Sequence, residues 1–589
     1  MDKNTAAILI SSLLERIERD RTIGAVSSLE RKALQIALAA LQGEGHSLTP
    51  EAIEQAGPVS FLQGGNGAAV SGATSLPPST ESVDADAKHT STLSAPAMPT
   101  VALALESIER DEVTDPDVLL CLDFGTAMSK AFATVFPDKH LDLELGIEAG
   151  RRGYTLPSSV FIADDGKAYF GFEAIEQSQD LIDSGRERLD SIKGWLSLRR
   201  EGNLDGEACV LKPAMNPTAY RLTEGDLIRI YLAYLTDIAE SSLAYQFVVD
   251  QPRYAKRRFA RPCWPDPEQT KWADGLMRRM LAEAQILADT FTGRWVGGIP
   301  VGELKSAVEQ VKALDKWPEY LIDDGVPEPV AVAAGALADS DNARDAFMVV
   351  DAGAGTTDFG LFIATHQPDQ DDCRVFQVPA SIQGLMQAGD KVDGLLRGFI
   401  AQRESIDLTD NPGRMILADL SRRIRGLKET LFKTGKLEYV LADGTAGKVA
   451  LDEFLADEKV QRFAKAVEDG FKKSLEAVDE TWLRWLAMDG VRLNVVLTGG
   501  SSTLPMMQAL GKGPIDVKGY RILRQAVDPR PDWMADMPVE LETVYPQLAV
   551  AIGGAAATMP ETLTAPPVFG GGGPRRHSYV AGNLRITGS

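Results

Sequence analysis

Two distant stretches of this chain follow one plan. VLLCLDFGTAMSKAFATVF opens with an apolar run ending at Asp123, turns through Gly125 and Thr126, and returns as a strand of alternating apolar and small residues. FMVVDAGAGTTDFGLFI repeats it with an apolar strand, Asp351, a turn through Gly353 and Gly355, then Thr356, Asp358 and a second strand. One Asp-Gly hairpin tip is ordinary turn chemistry. Two of them in one chain imply two similar lobes that face each other with loaded tips. Glycine lets backbone amides approach an anion, threonine adds a hydroxyl, and an aspartate at a strand end reaches a hydrated cation.

A third stretch, LNVVLTGGSSTLPMMQAL, runs a hydrophobic strand into Gly499 and Gly500, with Ser501 expected at the start of a helix. Strand, paired glycines and a helix N-terminus suit a phosphate or nucleoside through close backbone approach and the helix dipole. Two other phosphate-binding designs are excluded by pattern. No G-x-x-x-x-G-K-[ST] occurs, and GAGTTD breaks the G-x-G-x-x-G order of a dinucleotide-binding turn.

With 589 residues, 44% of them hydrophobic and 25% charged, the chain can bury more than one core. A net charge of -23 argues against a nucleic-acid or anionic-membrane partner, because phosphate-rich surfaces reward clustered Lys and Arg. The main basic cluster, RYAKRRFAR, reads as a solvated loop. The cysteines lack C-x-x-C spacing and the histidines lack ligand spacing, which indicates buried reduced thiols in a cytoplasmic protein rather than a disulfide framework or zinc site. MDKNTAAILISSLLERIERDR lacks the basic leader, apolar core and cleavage site of a secretory signal, and no run is apolar for long enough to span a bilayer.

Residues 1–57 read as a small helical module. Ile10, Leu13, Leu14 and Ile17 recur at helical spacing, Leu34, Leu38 and Leu41 follow behind a capping box at Ser27 and Glu30, and a short helix from Thr49 stops before Gly57. Residues 58–114, rich in Ser, Thr, Ala, Gly and Pro, read as a disordered linker, and 561–589 as a flexible tail. Between them lies an α/β body, 115–560, with one lobe over about 115–345 and a second over about 346–560.

The order and content of the motifs resemble the actin-like ATPase superfamily, and within it the nucleotide-binding domain of the seventy-kilodalton heat-shock chaperones, the DnaK type. The two hairpins resemble that family's two phosphate motifs, and the turn at Gly499, Gly500 and Ser501 its adenosine motif. TLPSSVFI resembles the family's threonine-proline-serine strand, and RLDSIKGWL the segment with its phosphate-contacting lysine, here Lys193. PEPVAVAAGAL resembles the connecting helix whose glutamate helps position water, here Glu328. AGDKVDGLL places Gly389 near the nucleotide, SRRIRGLKETLF places Lys428 on the adenosine side, and YPQLAVAIGGAAA resembles the closing helix.

The resemblance implies two duplicated ribonuclease-H-like lobes with ATP or ADP and Mg²⁺ between them. Asp123 and Asp351 would hold the metal largely through water. Gly125, Thr126, Gly353, Gly355 and Thr356 would bind phosphates, and Lys193 would neutralise charge on the transferred phosphoryl group. Glu328, Asp351 and Asp358 would orient the attacking water. A surface helix lysine and a helix cap are the plain alternatives for Lys193 and Glu328. The chain also departs from the family. Lys130 stands where actins keep a phosphate-contacting lysine, and Arg425, Thr503 and Gln547 replace the family's base-side glutamate, arginine and aspartate. The residues after the closing helix do not read as the family's peptide-gripping sandwich and lid, so peptide holding is not expected. The function implied is a slowly hydrolysing Mg-ATP switch acting on an unidentified protein partner, reached through residues 1–57. An actin-like filament protein and a small-molecule kinase of the same fold are the alternatives.

Overall fold

The computed structural model describes residues 97–563, apart from short stretches at 114–116, 138, 148–151, 180–185, 199–203, 248, 250, 265, 338–343, 368–371 and 408. The helical module expected over 1–57, the linker up to 96 and the tail from 564 lie outside the described residues.

All six residues of the strand Val118–Asp123 are buried, as a strand covered on both faces must be. It pairs antiparallel with Met128–Val135, which pairs antiparallel with Lys139–Leu141. On its other side Lys256–Arg261 and then Ile322–Pro327 run parallel. A second sheet has the same arrangement. Asp345–Ala352 is antiparallel to Thr357–Gln367, which is antiparallel to Asp372–Gln377, while Leu493–Thr498 and then Tyr520–Val527 run parallel on the far side. The two Asp-Gly hairpins therefore occupy the same place in two mixed sheets, within an α/β fold.

Side chains alternate across a strand, and this divides the interior among the described residues into three large cores, beside a small cluster of Phe161, Tyr169 and Ala174. Leu120 and Leu122 face the helices Glu224–Phe247 and Pro267–Phe291, whereas Cys121 between them faces the opposite way. In the second sheet Met348, Val350 and Ala352 face a core of their own, and Phe347 and Val349 join Cys121 in the shared third core. That shared core contains the helices Glu328–Ala336 and Val539–Gly554, which meet backbone to backbone. A β-carbon on Gly553 would lie 1.7 Å from the Ala331 carbonyl oxygen, and one on Gly554 would lie 2.3 Å from Cys121 Sγ.

Local signals set where the long helices begin. Thr223 and Asp226 exchange side-chain and backbone hydrogen bonds at 3.1 Å each, a capping box for Glu224–Phe247. Asp410 accepts from the Gly413 amide at 2.7 Å, opening Asn411–Thr434, and Gly435 closes that helix with φ of 76°. Among the described residues no helix is long and apolar enough to cross a membrane.

Two expectations need correction. The linker reading of 58–114 does not hold for 97–113, where Val101, Leu103, Leu105, Ile108 and Val113 pack against the first core. The Ala104 amide donates to Thr290 Oγ1 at 3.1 Å, Tyr320 donates to the Ser107 carbonyl at 3.0 Å, and Arg110 lies 4.0 Å from the Tyr254 ring centre. Burying these apolar side chains offsets the ordering entropy that a Ser/Pro-rich composition suggested would prevail. Nor is RYAKRRFAR a solvated loop. Lys256–Arg261 is an inner strand, and fully buried Arg257 pairs with Glu240 at 2.8 Å. Arg258 donates to the Gly554 and Ala556 carbonyls at 3.0 Å each.

Candidate functional site

The tips of the two hairpins meet. A β-carbon on Gly355 would lie 2.9 Å from Thr126 Oγ1, so only glycine lets the second tip approach the first this closely. Within the first tip, a β-carbon on Gly125 would lie 1.9 Å from the Met128 carbonyl oxygen, and Ser158 Oγ donates to the Gly125 carbonyl at 2.6 Å. On the second, Ser501 Oγ donates to the Gly353 carbonyl at 2.7 Å, and the Gly389 and Asp390 amides donate to Gly353 and Ala354 at 3.3 and 2.8 Å. Gly499, with φ of 85°, brings its turn against the backbone of Ala352, and its amide donates to the Pro546 carbonyl of the closing helix.

One cleft results. Asp123, Gly125, Thr126, Lys130, Lys193, Glu328, Asp351, Gly353, Gly355, Thr356, Gly389, Lys428, Gly499, Gly500 and Ser501 all line it. Asp358 does not. It stands opposite Asp351 in the hairpin register, fully buried beneath the tip, where it accepts from the Cys263 amide at 2.7 Å. Ser501 does not begin a helix either. Residues 499–504 form turns and are followed by the four-residue helix Pro505–Gln508, so helix-dipole assistance at Ser501 is withdrawn. Arg425 and Gln547 line the cleft, and Thr503 does not.

The charges in the cleft are arranged in pairs. Lys130 Nζ lies 2.9 Å from Asp123 Oδ2, and Lys193 Nζ lies 2.7 Å from Glu328 Oε1 with both groups buried. Burial alone would lower the Lys193 ammonium, but Glu328, helped by Asp123 and Asp358, outweighs it and leaves the group raised. Thr498 donates to Asp351 Oδ1 at 2.9 Å. Even so, burial first and the Glu328 carboxylate second push Asp351 up to about 7, and the same two causes raise Asp358 well above the carboxylate range. Lys428 pairs with Asp393 at 2.9 Å and donates to the Gly389 carbonyl at 3.3 Å.

Crowded carboxylates with too few cations are a donor set that fits a divalent metal. Among the described residues no group of three or more His, Cys, Asp or Glu side chains is close enough to hold an ion directly. The carboxylates of Asp123 and Asp351 both line the cleft.

Sequence reasoning missed Asp390 and Ser191. The Ser191 hydroxyl donates to Asp390 Oδ2 at 3.1 Å, tying the Lys193 segment to the start of the helix Gly389–Arg403 across the cleft. Arg425 approaches the same carboxylate at 3.8 Å. Both lie in stretches quoted above, RLDSIKGWL and AGDKVDGLL, but nothing in those stretches marks them as partners, and only their position in space does.

No protein-family model matches the chain. Over 195 residues, 32% of this chain, it is 28% identical to the chaperone protein HscA homolog of Shewanella amazonensis. The chain spans 28% of that relative's length. The likeness supports a relationship to the Hsp70-like, actin-like ATPases at the level of family.

Proposed function

We propose that this chain is a two-lobed, actin-like Mg-ATP switch that hydrolyses its nucleotide slowly and signals its state to a partner protein. The observation that carries this reading is the meeting of the two Asp-Gly tips, Thr126 against Gly355, in one cleft with the Lys193–Glu328 pair. The distant likeness to a chaperone supports nucleotide binding in the same direction. Duplicated sheet order and a core shared through two helices suit lobes that change their angle.

In this reading the amides and hydroxyls of Gly125, Thr126, Gly353, Gly355 and Thr356 bind the phosphates, and Asp123 and Asp351 contact the waters of Mg²⁺. The metal, when bound, supplies charge neutralisation at the phosphates. Lys193 holds the terminal phosphoryl group, while Glu328 and Asp351 orient a water. That water bonds to phosphorus, the bond from phosphorus to the β-bridging oxygen breaks, and ADP, inorganic phosphate and a proton result. Asp358, buried below, positions the second tip through Thr356 instead of touching water. The switch acts in the cytoplasm, and residues 1–57 reach its partner.

Calorimetric titration with ATP, ADP and GTP in Mg²⁺, alongside Asp123→Ala and Asp351→Ala, tests the reading while phosphate release is followed in the same samples. ATP binding lost in both variants, with phosphate produced by the unaltered chain, is the expected result. No binding by any of the three nucleotides would refute it.

A further inference from the structure

Behind the first tip runs a chain of buried hydroxyls. Ser158 grips the tip twice: its amide donates to the Ala127 carbonyl at 2.9 Å, and its hydroxyl donates to the Gly125 carbonyl at 2.6 Å. A serine hydroxyl has one proton to give, so in its 2.9 Å contact with Ser129 Oγ the Ser158 oxygen accepts. Tyr231, on the helix Glu224–Phe247, donates to Ser129 Oγ at 3.1 Å and to the Pro157 carbonyl at 3.0 Å. Burial pushes the Tyr231 hydroxyl up to about 12, so it keeps its proton throughout the physiological range. The Tyr231 ring also lies 5.5 Å from that of Phe124, the neighbour of Gly125. Ser129, Ser158 and Tyr231 are fully buried, and none of them lines the cleft.

A trans peptide points its carbonyl and its amide in opposite directions. With the Gly125 carbonyl drawn back to Ser158, the Thr126 amide faces the other way, on the side where Thr126 lines the cleft. The second tip is built alike. Gly353 follows Asp351 at the spacing by which Gly125 follows Asp123, and its carbonyl accepts from the Ser501 hydroxyl at 2.7 Å. Ser501 lines the cleft and can touch a ligand itself, whereas Ser158 can act only through the peptide it holds. Resting on the nucleotide-binding reading above, we propose that Ser158, backed by Ser129 and Tyr231, is a positioning residue that presents the Thr126 amide, and not the Gly125 carbonyl, to phosphate. A peptide left to rotate would set a carbonyl oxygen against an anion. Pinned, it offers only a donor, already oriented.

The full chain serves for every measurement. Ser158→Ala removes the pinning hydroxyl, and Tyr231→Phe removes the hydroxyl behind it while keeping the ring against Phe124. Ser158→Ala is expected to weaken Mg-ADP and Mg-ATP about tenfold and Tyr231→Phe roughly threefold, while adenosine, which brings no phosphate to the tip, binds as before. At saturating ATP, phosphate release should stay within about twofold of the parent, because the amide holds substrate and transition state alike. A readout free of nucleotide comes from isotopic labels at glycine carbonyls and threonine amides, since the chain has three Gly–Thr peptides, Gly125–Thr126, Gly355–Thr356 and Gly444–Thr445. In a carbonyl–nitrogen correlation spectrum both variants are expected to displace the same one of these signals. An unmoved spectrum in Ser158→Ala overturns the proposal, as do equal losses for adenosine and ADP, or slower turnover at unchanged KM, and these leave the nucleotide reading standing. If the unaltered chain binds neither ADP nor ATP, that reading fails. Titration with Mg-pyrophosphate then decides the tip alone: binding weakened by Ser158→Ala upholds the proposal, and no binding sinks it.

Discussion

Replacing Lys193 by Met removes one member of a buried pair whose charged atoms lie 2.7 Å apart. At that distance the attraction is about 6 kcal/mol with an effective dielectric near 20. Desolvation costs several kcal/mol per ion and roughly offsets it, so the intact pair contributes little net stability. Breaking it is another matter. Lys193→Met leaves Glu328 beside Asp351 and Asp358, both already raised by that carboxylate, and should cost about 3–5 kcal/mol. Glu328→Leu should cost less, because Asp123 and Asp358 still attract the lysine. The double variant Lys193→Met/Glu328→Leu should return to within about 1 kcal/mol of the parent, giving a coupling of at least about 2 kcal/mol in urea unfolding. Hydrolysis, measured as phosphate release, should be lost in all three. A double variant as unstable as Lys193→Met refutes the pairing argument, and one that is stable and still hydrolyses ATP refutes the catalytic roles.

Two further outcomes follow from features away from the cleft. Relative to a chain lacking residues 1–96, removal of 1–114 exposes the surface under Val101, Leu103, Leu105, Ile108 and Val113 and should cost several kcal/mol more, on the order of 1 kcal/mol per side chain, seen as a lower melting temperature. Asp226 is held below its ordinary carboxylate range: burial pushes it up, but Lys305, Lys312 and the Thr223 amide outweigh burial. Its stabilisation relative to Asp226→Asn should therefore be complete at neutral pH and shrink as pH falls below about 3.8, measured by calorimetric unfolding across that range. A difference that grows on acidification would show the sign to be wrong.

Much of the site was legible because its chemistry is local. Asp123, Gly125 and Thr126 are consecutive or nearly so, and the same holds for the run from Asp351 to Asp358, so spacing alone announced both tips. What stayed hidden depends on partners distant in sequence. Arg257 reads as a surface residue until Glu240 and Gln285, each on a different helix, neutralise and bond it in the interior. In the segment 97–113 only Val101, Leu103 and Leu105 alternate, a run too short to announce an element, and what orders them is packing against a core built from other parts of the chain. The turn at Ser501 misled for a different reason. A serine after paired glycines is a common helix start, but Pro505, not Ser501, sits in the first turn here.

The glycine contact between Glu328–Ala336 and Val539–Gly554 has a mechanical consequence. Where helices meet through side chains, an added methyl can be absorbed by a change of rotamer. At Gly553 and Gly554 the neighbours of a new methyl would be the Ala331 carbonyl and Cys121 Sγ, and the first of these is main chain that can move only with its whole helix. One extra carbon would act as a shim, displacing the helix that begins at Glu328 and, with it, the width of the opening at the hairpin tips. The aperture of the cleft is thus gauged by a seam beside it, one turn beyond Val550 of the same helix, where the smallest possible change of side chain is felt at full size.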